Sequence, residues 1–202
     1  MRAIIFDIDG TLIDSMAVEP DLLFAAINAV LGPVKIRPNL DDYDNVTDSG
    51  IVTEVMNDNG LKEGTNAQNQ IQMLFVNDLK EFISRNGPFP AISGAMQLFD
   101  RARLSADTQV AIATGSWRRS ACLKLKSSGF RINGVALASC DHSPSRIAIM
   151  SSALSGLGQD VESVTYFGDG EWDQRACEIL GWDFVAVGSN LGGIQSYEGF
   201  EI

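Results

Sequence analysis

Four short apolar runs in the second half of the chain constrain its fold more than any other feature. They are VAIAT at 110–114, VALAS at 135–139, VTYFG at 164–168 and FVAVG at 184–188. Each suits a strand buried on both faces and is too short for a helix. Helical patterns lie between them, at 117–128, 144–155 and 171–180, and another, Ala95 to Leu104, precedes them. Strands alternating with helices predict a parallel sheet covered on both faces, a Rossmann-like α/β fold. The N-terminal run Ala3-Ile4-Ile5-Phe6 is equally apolar and is expected in the same sheet.

Residues 15 to 90 have a different rhythm, helices only. Pro20 suits a first helical turn. Leu22, Leu23, Ala26, Ile27, Val30 and Leu31 come next at helical spacing, up to Gly32-Pro33. After the polar loop LDDYDNVTDSG, Thr47 or Asp48 can cap a helix carrying Ile51, Val55 and Met56 and ending near Gly60. A longer helix fits 66–85, with one apolar stripe through Ile71, Leu74, Phe75, Leu79, Phe82 and Ile83. The expected organisation is an α/β core from 1–14 and 91–202, with 15–90 inserted as a helical unit.

In an open parallel sheet, ligands bind at the carboxyl ends of the strands. The residues just beyond each strand are therefore informative. The first strand runs into Asp7-Ile8-Asp9-Gly10-Thr11, the next into Thr114-Gly115-Ser116, and a later one into Gly168-Asp169-Gly170-Glu171-Trp172-Asp173. Continued as a strand, Asp7 and Asp9 would share one side, Cα atoms roughly 6.5–7 Å apart. Alone, these acids can be read as a solvated strand end. Taken together, Asp7, Asp9, Asp169 and Asp173 form an oxygen-rich pocket suited to a hard cation such as Mg²⁺. Thr114 and the N–H groups of Gly115 and Ser116, at a helix N-terminus, suit a phosphate.

The net charge of −11 disfavours nucleic acid and anionic membrane, and makes a bound cation useful for any anionic substrate. Cys122, Cys140 and Cys177 are odd in number and form no C-x-x-C pair, as expected of reduced thiols. The first strand begins within a few residues of Met1, and no apolar stretch approaches membrane-spanning length, so a cytoplasmic protein without a signal peptide is expected. DIDG is not a calcium loop, because Gly comes fourth rather than sixth and Val18 stands where a bidentate Glu is needed.

The chain resembles the haloacid dehalogenase-like hydrolases, a superfamily made mostly of phosphatases. D-x-D-G-T at 7–11, TLIDS at 11–15, Thr114 and G-D-x-x-x-D at 168–173 carry the resemblance, in the family's order. The helical block then corresponds to the family's cap. The resemblance implies that Asp7 is the nucleophile and Asp9 the acid for the leaving oxygen, then the base for water. It also implies that Asp7, Asp169 and the main-chain carbonyl of Asp9 hold Mg²⁺, with Asp173 as a further ligand, and that Thr114 binds the phosphoryl group. Dehalogenases proper lack the second Asp, so Asp9 argues for phosphate chemistry.

One departure is visible. The family usually has a Lys, sometimes an Arg, between the second and last motifs, and no Lys lies between 127 and 202. Arg146 is the candidate substitute for binding phosphate; otherwise it is a solvated helix-start residue. His142, the only histidine, reads as a loop residue, and Arg118 and Arg119 as an exposed helix start. Trp117 and Trp172 are expected to pack core against cap. Tyr43, Thr47 and Asp48 are either specificity residues or a plain cap and turn. The implied function is Mg²⁺-dependent hydrolysis of a small phosphorylated metabolite by a monomer or homodimer. The alternatives are a phosphomutase of the same fold, or a non-catalytic protein on that scaffold.

Overall fold

The computed structural model describes residues 1–62, 64–158 and 160–201, with only the backbone of Thr65. Strand β1 (Arg2–Phe6) is followed by three helices, α1 (Glu19–Leu31), α2 (Asp48–Asp58) and α3 (Thr65–Asn86). A 3₁₀ turn at Leu40–Asp42 lies within the polar loop. Then come α4 (Ala95–Leu104), β2 (Thr108–Ala113), α5 (Arg118–Ser127), β3 (Ala136–Ala138) and α6 (Arg146–Ser155). The chain continues through β4 (Ser163–Gly168), α7 (Glu171–Leu180) and β5 (Asp183–Ala186). The five strands form one parallel sheet in the order β3-β2-β1-β4-β5.

β1 is central. Ile4 faces Val110 on one side and Thr165 on the other. Its side chains alternate between two cores, as the pleat requires. Ala3 and Ile5 enter the core that contains Ala111, Tyr166 and the apolar faces of α1, α2 and α3. Ile4 and Phe6 enter the one beneath α4 and α5, where Phe6 stacks on Phe167 with ring centroids 4.9 Å apart. Strand order reverses about β1, so its carboxyl end opens into the crevice where such sheets take ligands.

The three helices after β1 pack with one another and dock on that same sheet end. Thr47 caps α2, its hydroxyl accepting from the Gly50 N–H and donating to the Pro144 carbonyl. The Ser49 hydroxyl donates to the Cys140 carbonyl, and Phe75 of α3 meets Trp117 at 6.0 Å. The element pattern is the expected one, with shifted ends. β3 keeps only Ala136–Ala138, as suits an edge strand. β5 lies one residue earlier than its apolar run and stops before Gly188, where φ is +81°. α6 starts at Arg146 because Ser145, not Pro144, caps it. The tail is ordered against the core: Tyr197 packs on Phe167, and its hydroxyl donates to the Thr11 carbonyl.

Candidate active site

The Asp7 N–H donates to the Phe167 carbonyl, which extends the ladder by one residue and fixes Asp7 at the strand end. The chain then turns instead of continuing as a strand. The N–H groups of Leu12 and Ile13 both donate to the Ile8 carbonyl, and Gly10 takes φ +72°. A Cβ on Gly10 would lie 2.0 Å from Asp169 Oδ2, so both the backbone angle and the space demand glycine here. Gly168 is similar, since a Cβ there would lie 2.5 Å from Asp173 Oδ2.

The turn separates the two acids of the opening motif. Carboxylate oxygens of Asp7, Asp169 and Asp173 lie within 4.8 Å of one another. The Asp9 carboxylate is not in that cluster, which corrects the expectation of four converging carboxylates. Of Asp9, only the main-chain carbonyl remains for an ion. A hard divalent cation fits the three-carboxylate set. Asp173 Oδ2 is buried without a hydrogen-bond partner, and Arg146 is the one cation paired with the cluster among the described residues. Burial, then the neighbouring Asp173, pushes the Asp169 carboxyl up to about 7. Burial likewise raises Asp7 well above the usual carboxylate range, although Arg146 opposes it.

Arg146 is largely withdrawn from solvent, its side chain 11% exposed, and is not a solvated helix-start residue. Its Nη1 lies 3.3 Å from Asp7 Oδ1, its Nε 3.3 Å from Asp173 Oδ1, and its Nη2 donates to the Val46 carbonyl at 3.1 Å. A planar guanidinium can span these partners at once; a lysine cannot. Burial opposes its charge, but Asp173 and Asp7 more than restore it.

The phosphate loop differs in detail from expectation. Thr114 is buried at the cleft, and its hydroxyl accepts from the Ser116 N–H at 3.1 Å, so of the predicted phosphate donors the Ser116 N–H is engaged internally. Gly115 lies against Arg146 and the Val46–Thr47 backbone, where a Cβ would come within 2.9 Å of Arg146 Nη2. The Gly115 carbonyl accepts from the Asp48 N–H, and Asp48 Oδ2 accepts from the Trp117 N–H, both at 2.8 Å. Thr47, Asp48 and Trp172 line the cleft, whereas Trp117 is buried against Phe75. Tyr43 is instead buried in the helical layer, its hydroxyl accepting from the Arg37 N–H, and His142 is exposed in its loop.

The group that sequence reasoning missed is Lys124. Its ammonium is fully buried and donates to both Asp9 oxygens at 2.6 Å, to Glu19 Oε1 at 2.9 Å and to the Ser116 hydroxyl at 3.0 Å. Ser15 also donates to Asp9. Burial alone would raise Asp9, yet Lys124 and the two hydroxyls outweigh it and hold Asp9 below its ordinary value. Glu19 shares the same ammonium less closely, and burial keeps its carboxyl raised. One cation thus serves two acids, and the close ion pair is Asp9–Lys124. A signal existed: Lys124 falls four residues after Ser120 and three after Ala121, on the buried face of α5.

The floor of the cleft therefore offers a cluster of three carboxylates, a guanidinium, a hydroxyl-bearing loop and a pinned carboxylate at the carboxyl end of a parallel sheet. Its fold is similar to a hydrolase from Pseudomonas syringae, at 19% identity over 92% of this chain and 84% of that one, TM-score 0.72. It is also similar to CbbY from Rhodobacter sphaeroides in complex with phosphate, at 18% over 100% and 90%, TM-score 0.69. A third similar structure is the β-phosphoglucomutase of Clostridium difficile, at 15% over 98% and 86%, TM-score 0.72. At these identities the likenesses show the fold alone. A search of the curated proteins finds no match. The model of the haloacid dehalogenase-like hydrolases matches residues 1–181, through the strands that carry Asp7, Thr114 and Asp169, and the chain belongs to that family.

Proposed function

We propose that the protein is a Mg²⁺-dependent phosphomonoester hydrolase working through an aspartyl-phosphate on Asp7, with residues 15–90 as its cap. The observation that carries this reading is the placement of Asp7, which stands between Arg146 and the acids Asp169 and Asp173 at the floor of a cleft shared with Thr114. Asp7, Asp169 and Asp173 would hold Mg²⁺, which when bound offsets the repulsion between an anionic nucleophile and an anionic phosphate.

Asp7 attacks phosphorus as the ester oxygen leaves with a proton from Asp9. Water then attacks the phosphorus of the aspartyl-phosphate and gives its proton to Asp9, which frees Asp7 and inorganic phosphate. Lys124 holds resting Asp9 in the form that accepts a proton. The acid half of the cycle needs Asp9 to take one up first, so esters with good leaving groups should turn over fastest. Arg146 steers the phosphoryl group and balances Asp7 and Asp173. The cap, closed through Asp48 and Thr47, excludes water from the first half.

Hydrolysis of 4-nitrophenyl phosphate with and without Mg²⁺, beside Asp7→Asn, is the test. Activity that requires both the metal and Asp7 is expected. Activity that survives Asp7→Asn overturns the mechanism, as does failure of Asp7 to take up beryllofluoride in Mg²⁺. The phosphomutase alternative predicts dependence on a sugar bisphosphate; a non-catalytic scaffold predicts neither turnover nor capture.

A further inference from the structure

The cleft has a second half, facing away from the metal cluster, where the leaving group must lie. The apolar side chains lining the cleft include Met16, Leu23, Leu40, Ile51 and Trp172. The titratable side chains on this side are acids, Glu19 and Asp48. Among the described residues, Arg146 is the one basic side chain lining the cleft, although the chain has 15 Lys and Arg residues. Its guanidinium is already shared by Asp7, Asp173 and the Val46 carbonyl. Lys124 lies nearby, but it is fully buried and committed to Asp9, Glu19 and Ser116.

At the start of α2 the backbone is already partly engaged. Thr47 and Asp48, at the N-terminus of α2, line the cleft, and such a terminus is ordinarily a seat for an anion. Here the helix supplies its own anion-type group. Asp48 occupies the first turn, its N–H bonded to the Gly115 carbonyl and its carboxyl to the Trp117 N–H, while the Gly50 N–H is taken by Thr47. A carboxylate or second phosphate on the substrate would lose its water beside Asp48 and Glu19 and gain no cation. A buried, unpaired charge is among the costliest arrangements a site can hold. The cavity left by the closed cap is also small, about 60 Å³.

Resting on the phosphatase reading's placement of the phosphoryl group at Asp7 and Thr114, we propose that the cleft selects phosphomonoesters with a compact, uncharged, apolar leaving group. It rejects those that carry a second anion, such as bisphosphates and phosphorylated carboxylic acids. This selectivity also separates the protein from a bisphosphate-dependent mutase, whose second phosphate would need a cation here.

The test uses two non-hydrolysable probes of equal length and similar shape, 4-methylpentylphosphonate and 4-phosphonobutyrate. Their affinities for the full chain in Mg²⁺ are measured by calorimetry, alongside hydrolysis of the corresponding phosphate esters. The apolar phosphonate is expected to bind about 100-fold tighter. Leu40→Arg should cut that ratio by about tenfold by supplying the missing cation. Met16→Arg serves the same purpose should Leu40→Arg not fold. Equal affinities, a preference for the carboxylate, or a ratio unmoved by the folded Arg variant overturns the proposal. Selective phosphonate binding without any ester hydrolysis upholds it and overturns the hydrolase reading instead. Failure of both probes to bind overturns the proposal, and overturns the hydrolase reading as well when no phosphate ester is hydrolysed.

Discussion

Lys124→Met removes the cation from a buried cluster and leaves its acids in place. Wild-type Nζ sits 2.6 Å from both Asp9 oxygens and 2.9 Å from Glu19, with the whole lysine side chain out of water. Methionine fills nearly the same volume, so packing loss is a minor part of the effect. Stripping one partner from a buried ion pair typically costs about 3–5 kcal/mol, because the remaining charge has neither water nor a counterion. Against a total stability of about 5–15 kcal/mol this should be severe. The cost should also depend on pH with a definite sign. In the wild type, Asp9 is held low, so its contribution is present at neutral pH and lost as pH falls through its folded value. In the variant, burial without Lys124 raises Asp9, which then prefers to be neutral and loses stability as pH rises. The gap between the proteins should therefore narrow in acid, by up to about 1.4 kcal/mol per pH unit for each carboxyl that protonates. Urea unfolding of both proteins at pH 7.5 and pH 5, in EDTA, measures it. The triple variant Lys124→Met, Asp9→Asn, Glu19→Gln should regain most of the loss, which a double-mutant-type cycle would register. A loss under about 1 kcal/mol at pH 7.5, or one that does not change with pH, would refute the reasoning, since a solvated lysine behaves that way.

On the proposed mechanism Mg²⁺ displaces a proton held by Asp169, whose carboxyl is pushed up to about 7 by burial and then by the neighbouring Asp173. Apparent Mg²⁺ affinity, followed by the fluorescence of cleft-lining Trp172, should rise with pH up to about 7, with Asp169 contributing up to about tenfold per unit. In metal-free protein the same raised carboxyl contributes stability in acid that is lost as pH rises toward 7, so the melting temperature in EDTA should fall over that range from this group. Gly10→Ala forces a Cβ into Asp169 at a positive φ and should cost at least about 1–2 kcal/mol and weaken Mg²⁺ binding, read by melting with and without metal. Arg146→Lys keeps the charge but loses the fork that spans Asp7, Asp173 and Val46, and kcat should fall by about 10²-fold with the fold intact by circular dichroism.

Much of the fold was legible because strands buried on both faces leave continuous apolar runs, and these strands are short and well separated by helical stretches. The ends were less legible. β3 loses a residue at each end because an edge strand has one neighbour to hold it, and the tail's return onto Phe167 leaves no periodic trace. At the site, the strand-end acids and glycines could be read from their positions, and so could Arg146 as a candidate cation. The division of labour between cations could not. Lys124 lies 115 residues from Asp9 and 105 from Glu19, and its pairing depends on which face α5 turns toward β1.

The amino-acid order alone determined that an α/β sheet would form with a helical insertion after its first strand, and that acids would gather at one sheet edge. Those properties come from local periodicity and from where each strand stops. Only the tertiary structure decided that Asp7 and Asp9 part company, the first toward Arg146 and the carboxylates of Asp169 and Asp173, the second into the grip of Lys124. It also decided that, among the described residues, Arg146 is the one basic side chain lining the cleft. The physical reason is the same in both cases. A charge takes its character from partners within a few ångströms, and those partners come from distant segments that only folding brings together.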